Sequence, residues 1–409
     1  MAAITALTTL ANIIKVFYPD REVDKLSYRK APINADLKRI MRSYSGGKDI
    51  TYGLQTYRAS SSRANNEGDA IVTPTVPQYI KLVDNPKNNY AVQNVSEEAF
   101  LDTGNDEAAL VKIASTLPAD MIENLAFHQA RQLWAIDDYG AVVNCGDTTA
   151  STTVVLSSTA NMRNLHRGMV GDIRNKTTLV ATTNGDSVTI NGIDEDNKTI
   201  TISGDGVTTT AGTHAVYIED EASATGPSTK CWNSIPKMVG TGNIHGVTVT
   251  TYPEFKSKVI SSVGTLGVDD LQSLVDYGEA RNKKTKWVYY MSPEVSNKYA
   301  EILLSDIRYD PSMLEKGIGG YPTTLAFNGG SAGIIPIVRD PLMPLDEAFL
   351  INWDALVFWS NKFMQWLDRD GSQYFRVSGY LQWQLLLMSR GNTMIINRPS
   401  CGKVTGISM

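Results

Sequence analysis

The spacing of apolar residues changes period several times along the chain, and each change marks a unit. Residues 1 to about 45 hold two thin helical stripes, 5–17 and 34–41, parted by Pro19 and Pro32. Such stripes bury little against their own domain, so the pattern predicts an arm that leans on a neighbouring surface. From residue 50 to about 99 the period falls to two. Tyr52, Leu54 and Tyr57 precede a polar middle of small residues, RASSSRANNEGDA, and Tyr79, Ile80 and Leu82 follow it. Strand-like flanks around a polar centre predict a long two-stranded excursion. An isolated hairpin is marginal in water, and no nearby helical pattern offers this one cover.

Residues 106–138 carry the clearest helical period. Met121, Ile122, Leu125, Leu133 and Trp134 fall near one stripe, and Pro118 and Asp120 mark a start or a kink. About 20 helical residues span roughly 30 Å, long enough for a beam. Residues 145–225 are dense in Thr, Gly, Asn and Asp. Short strand candidates, TTVVLS, TTLVATT, SVTING, KTITISG and HAVYIED, are separated by turn signals such as NGD and DEDN. Regular short strands predict a small all-β module, inserted because mixed patterning resumes near Trp232.

Beyond it, VDDLQSLVDYGEARN sets Val268, Leu271, Leu274 and Val275 on one helix face, and KWVYYM reads as a buried strand. Ser292 and Pro293 open a second helix through Val295, Tyr299 and Ile302, the hydroxyl capping free N–H groups and the proline fitting the first turn. A glycine-rich loop follows. Then GIIPIVRDPLMPLDEAFLINWDALVFW predicts a buried strand, a proline-rich corner holding Arg339 and Asp340, and two more apolar strands. WLDRDGSQYF signals a hairpin about Asp370 and Gly371. In YFRVSGYLQWQLLLMSRGNTMIINR, Leu381, Trp383 and Leu385 alternate with Gln382 and Gln384, which predicts one long strand with one face buried.

Composition fits a globular chain of two or three domains: 409 residues, 42% hydrophobic and 20% charged. The net charge of −5 argues against a broad basic face that grips nucleic acid, though not against a container around it. Cys145, Cys231 and Cys401 are odd in number and far apart, with no CxxC pair, so a reducing compartment is expected and a zinc ribbon is not. The N-terminal run has no basic residue before its apolar stretch, so no cleaved signal is expected. No stretch of ~18 apolar residues predicts a membrane span. Glycosylation-type triplets at Asn94, Asn175 and Asn197 mean little without a secretory signal.

Candidate chemistry is thin. GGSAG around Ser331 matches G-x-S-x-G, but a strand candidate with Pro336 follows, where a nucleophile elbow needs a helix. His128, His166, His214 and His245 are dispersed, and none has metal-ligand spacing. The acidic run at Asp194, Glu195 and Asp196 lacks the glycine and distal glutamate of a calcium loop and reads as a hairpin turn. NKKTK, residues 282–286, reads as a solvated helix end. Trp353 and Trp359 sit inside apolar strands and read as core rather than as a nucleic-acid stacking platform. No catalytic residue, metal ligand or cofactor is expected.

The succession of parts carries a resemblance. GTGNIHGVTVTTYPEFKSKV precedes LGVDDLQSLVDYGEARNKKTKWVYYMSPEVSNKYAEILLSDIRY, then the proline-cornered stretch, then MQWLDRDGSQYFRVSGYLQWQLLLMSRGNTMIINRP. In this order the chain resembles the major capsid protein of tailed bacteriophages, whose fold is shared with encapsulins and herpesvirus capsid floors. The resemblance implies an α+β fold: an N-terminal arm over 1–45, an extended loop and the start of a peripheral domain over 46–100, and a spine helix over 101–144. It further implies an inserted β domain over 145–225, a mainly apical domain over 226–350, and a return to the peripheral domain over 351–409. It implies hexamers and pentamers of an icosahedral head around double-stranded DNA, held by weak non-specific contact, and assembly in the host cytoplasm without a membrane. Portal and scaffolding or decoration proteins are the further partners. No cleavable scaffolding segment is evident before the arm, and no lysine–asparagine crosslink partner is identifiable. Tyr57, Arg58, Arg63, Glu67 and Asp69 are the expected contacts between subunits; for each charged one the alternative is a solvated loop charge. Two further readings compete: a nanocompartment shell of the same fold, which would hold cargo, and a monomeric enzyme using the glycine-rich region 317–333.

Overall fold

The computed structural model describes residues 32–408 apart from 60–61, 63, 69, 71–72, 74, 99–112, 138, 158–160, 223–229, 282–285, 305–324 and 369–373. The expected helix at 5–17 and the turn at Asp370 and Gly371 fall outside these residues. The described helices of four residues or more are α1 (Ile33–Arg39), α2 (Ile113–Leu133), α3 (Ile235–Met238), α4 (Val268–Glu279) and α5 (Pro293–Leu304). The strands begin with β1 (Met41–Ser43), β2 (Ile50–Tyr57), β3 (Gln78–Asp84) and β4 (Lys87–Ser96). Then come β5 (Val143–Asn144), β6 (Thr148–Ser151), β7 (Thr153–Val155), β8 (Val170–Asn175), β9 (Val188–Asp194), β10 (Thr199–Ile202), β11 (Val207–Thr209) and β12 (His214–Ile218). The rest are β13 (Lys258–Ile260), β14 (Trp287–Met291), β15 (Ala326–Asn328), β16 (Ile334–Arg339), β17 (Glu347–Asn352), β18 (Leu356–Trp366), β19 (Tyr374–Arg376), β20 (Gln382–Ile395) and β21 (Gly402–Thr405).

The first sheet is built on β20. β4 pairs along one edge from Ser96 opposite Gln382 to Lys87 opposite Gly391. β18 and β19 pair along the other edge, and β1 adds parallel to β18. β4 was not anticipated as a separate strand, because its asparagines and lysine read as the end of the excursion. Its alternation is nonetheless clear: Asn89 and Val95 are buried while Asn88, Tyr90 and Val92 are exposed. α2 lies over the inward face, with Met121 and Leu125 against Leu385 and Leu387. At 21 residues it is the expected beam. Ile122, placed on the buried stripe from sequence, is exposed instead. The predicted long terminal strand is also broken. Gly379 adopts φ 84°, and Val377 donates its N–H to the Gln382 carbonyl, folding the chain into a tight turn. Leu381 therefore stands 65% exposed at that turn rather than buried.

The second sheet runs β5-β12-β8-β9-β10-β7 and packs on its own core, with Val143, Ile173, Ile190, Ile200 and Val216 among the buried residues. TTLVATT, expected as a strand, is a turn with one isolated bridge at Ala181, because Leu179 is held at φ 58°. Its place is taken by β8, VGDIRN, which was not among the strand candidates.

The third sheet runs β13-β21-β17-β14-β16-β15. Leu271, Leu274 and Val275 of α4 and Val295 and Tyr299 of α5 join its core. Val268, expected on the same face of α4, is exposed at the first turn. The Ser292 hydroxyl accepts the Val295 N–H at 3.2 Å, the cap read from sequence. β21 brings the end of the chain back to this sheet, between β13 and β17.

The parts meet at one central core. Trp134 packs 5.3 Å from Phe349 and 5.8 Å from Tyr290, and Trp232 lies 4.8 Å from Phe358. The charged corner is part of this core. Asp340 is fully buried, accepts Trp134 Nε1–H at 3.0 Å and the Leu342 N–H at 2.9 Å, and burial pushes its carboxyl up. A buried acceptor with two donors ends β16 and fixes the corner.

Candidate functional site

β2 and β3 form a two-stranded ribbon apart from the three sheets. Its register pairs Ile50 with Asp84, Tyr52 with Leu82 and Leu54 with Ile80, then shifts between Gln55 and Tyr57. Alternation divides the ribbon into two faces. Ile50 and Leu82 enter the central core, with Tyr52, Leu54 and Ile80 packed on it. The hairpin expected to lack cover is therefore anchored on the chain's own body through this face. The opposite face carries Tyr79, 66% exposed, with Lys81 and Val83, and Tyr57 is 52% exposed at the strand end. Val76, just before β3, is 82% exposed. Large apolar groups lined up on a ribbon's outer side are the kind of patch that marks a contact surface.

Of the expected contact residues, Tyr57, Arg58 and Glu67 are exposed, and Arg63 and Asp69 fall outside the described residues. Tyr57 and Arg58 lie at the end of β2, with Tyr57 opposite Gln78. Glu67 lies in the turn at the tip, beside Gly68 at φ 91°, where the Asn65 side chain donates to the Ala70 carbonyl at 3.1 Å. Tyr79 was read from sequence as a strand flank but not as a contact residue, and Val83 and Val76 were not singled out. Period-two alternation from the buried Leu82 could have found Tyr79 and Val83.

The ribbon's root is clamped by polar side chains from distant parts. Asp84 accepts from His245 Nδ1 at 2.8 Å, from Asn392 Nδ2 at 3.1 Å, and from Asn233. His245 Nε2 in turn accepts the Ile395 N–H at 3.1 Å, so the imidazole proton resides on Nδ1. Asn233 also donates to the Thr393 carbonyl at 2.8 Å. Burial works to raise the Asp84 carboxyl, but the hydrogen bonds from His245 and Asn233 outweigh it and hold it below the usual carboxylate value. The clamp ties β3 to the end of β20, so the ribbon leaves the body from a fixed point.

A second apolar surface lies on the first sheet, opposite α2. Tyr90 pairs with Met388 and Val92 with Leu386, and both β4 residues are exposed.

The candidate chemistry resolves into structure. Ser331 sits in a short 3-10 turn before β16 and donates to Glu279 at 2.7 Å; a strand follows it, as read from sequence. His128, a residue of α2, contacts Glu221 at 3.0 Å. Burial pushes the Cys145 thiol up to about 12 and the Cys401 thiol up to about 11, which keeps both out of thiolate chemistry. Asp194 accepts from Asn197 in the turn between β9 and β10, the hairpin expected there. Among the described residues no group of three or more His, Cys, Asp or Glu is placed to hold a metal ion, and no helix is long and apolar enough to cross a membrane.

No family model matches the chain, and no curated protein does. Solved structures do. The chain is similar to the protein of the cyanophage A-1(L) capsid asymmetric unit, with a TM-score of 0.54 and 13% identity over 96% of this chain and 98% of that one. It is also similar to the protein of the capsid of a native GTA particle, with a TM-score of 0.51 and 9% identity over the whole of both chains. At such identity the likeness is one of fold: the chain has the α+β fold of the tailed-phage major capsid protein.

Proposed function

We propose that this chain is a non-enzymatic shell subunit that forms hexamers and pentamers of an icosahedral virus head enclosing double-stranded DNA. The observation that carries the reading is the ribbon of β2 and β3. One face is anchored in the chain's own core and the other presents Tyr57, Tyr79, Val83 and Val76 to solvent. Closed symmetry lets each copy cover its neighbour's projection. Specific interfaces remove roughly 1,200–2,000 Å² from water, and the ribbon and the Tyr90 and Val92 side of the first sheet are the surfaces offered for that burial.

On this reading residues 1–45 are the arm, 46–100 the extended loop and the entry to the peripheral domain, and 101–144 the spine. Residues 145–225 are the insertion, 226–350 the apical domain, and 351–409 the return, whose last strand rejoins the apical sheet. Tyr57, Arg58, Arg63, Glu67 and Asp69 make contacts between subunits, the charged ones setting register more than affinity. Portal, scaffolding or decoration proteins attach to the assembled shell. With a net charge of −5, contact with DNA is weak and non-specific. The shell assembles in the host cytoplasm.

Electron microscopy of the purified full chain tests the proposal. Closed shells or flat hexamer sheets are expected, and monodisperse monomer at high concentration would overturn it. Protein cargo inside purified particles, in place of DNA in particles from infected cells, would favour a nanocompartment instead.

A further inference from the structure

A cavity of about 170 Å³ lies where the 145–222 module meets the third sheet, lined by Asn144, Asn161, Pro236, Pro344, Asp346 and Glu347. Asn161 is 97% buried, yet no protein donor reaches its Oδ1. Glu347 places Oε1 3.8 Å from Lys403 Nζ, while its buried Oε2 has no protein donor. Asn144 is already engaged, accepting from Lys176 Nζ at 3.3 Å. The unsatisfied atoms are thus acceptors of one kind, hard oxygens, and the exposed Asp346 adds a second acidic residue to the lining. Buried acceptors without donors are rare in folded proteins and call for a donor or a cation. Neighbouring carboxylates repel unless a proton or a positive charge stands between them. The lining holds no imidazole or thiol, which selects against zinc and for the oxygen-seeking cations.

We propose that this cavity binds a hydrated divalent cation of the calcium–magnesium class through the Asp346 and Glu347 carboxylates and the Asn161 amide oxygen, pinning the β module to the third sheet. Lys403 and Lys176 at the margins balance part of the acidic charge, so water supplies the remaining ligands and the ion is exchangeable. Three protein oxygens from two separate parts of the fold make the ion a staple: its removal loosens the module without unfolding either sheet.

The test uses the full chain, stripped with EDTA, dialysed, and given calcium or magnesium chloride alone. Equilibrium dialysis is expected to count one ion per chain, and thermal melting a saturable rise in Tm. Asp346→Asn and Asn161→Ala remove the rise. Asn161→Asp adds a carboxylate at a left-handed position that aspartate tolerates, and tightens binding about tenfold, as ion affinity in oxygen sites follows ligand charge. If Asn161→Ala does not fold, the loss in Asp346→Asn and the gain in Asn161→Asp carry the test. Absence of bound ion in the unaltered chain, or a rise that survives undiminished in Asp346→Asn, overturns the proposal.

Discussion

Asp84 and His245 lie 161 positions apart in sequence and 2.8 Å apart in the fold. The imidazole donates its Nδ1–H to the Asp84 carboxylate and accepts the Ile395 N–H at Nε2, so it satisfies both ends of a buried bridge. Removing it strands the Ile395 N–H and takes one of three side-chain donors from Asp84. His245→Ala is expected to destabilise the chain by about 1–3 kcal/mol in urea unfolding, the cost of one stranded buried polar group. Acid acts on the same groups. Asp84 is held below its usual value. Glu221 is brought from 4.5 to about 2: burial works to raise it, and the His128 contact, the Arg131 charge and the Gln132 hydrogen bond prevail. A depressed carboxyl means that the unfolded chain takes up protons first as pH falls. Stability is therefore full above the unfolded value and declines from about pH 4.5 down to about pH 2. Urea unfolding across that window should show a shallower decline in Glu221→Gln, and an unchanged slope would remove Glu221 from the account. None of this clamp was legible in the sequence. Asn233, His245 and Asn392 are ordinary polar residues in their local windows, and only the fold brings them to Asp84.

At the scale of elements, the ribbon divides into two faces with opposite expectations. Leu82 is fully buried in the central core, so Leu82→Ala should cost about 2–5 kcal/mol. Tyr79 faces outward on the same strand, and Tyr79→Ser should change the subunit's stability by no more than about 0.5 kcal/mol. Its effect should instead appear in assembly, read by sedimentation velocity as a shift toward free subunits. Sequence periodicity revealed the ribbon because one face is apolar and the other carries scattered aromatics. It revealed α2 and the Ser292 cap for similar local reasons. It passed over β8 and misread the TTLVATT turn, where the left-handed Leu179 overrides β-propensity. It merged β19 and β20, because Val377–Leu381 continues the alternation that Gly379 interrupts. β4 was hidden by its asparagines: Asn89 is buried, but its partner is Gln132 of α2, 43 positions away.

For the whole molecule, the succession of parts was more informative than any motif. The likeness of fold to two capsid proteins extends over nearly the full length of each. What the order of parts could not convey is how the first and third sheets share one aromatic core around Trp134, or that β21 crosses back to the third sheet. The surface left after that packing, the outer side of the ribbon and the Tyr90–Val92 side of the first sheet, is where copies are expected to meet. The most direct measurement pairs assembly with folding in one variant, a deletion of residues 60–68 at the ribbon's tip. The account predicts a subunit that unfolds as cooperatively as the full chain but forms no shells by electron microscopy. Intact shells from the deleted chain would contradict it.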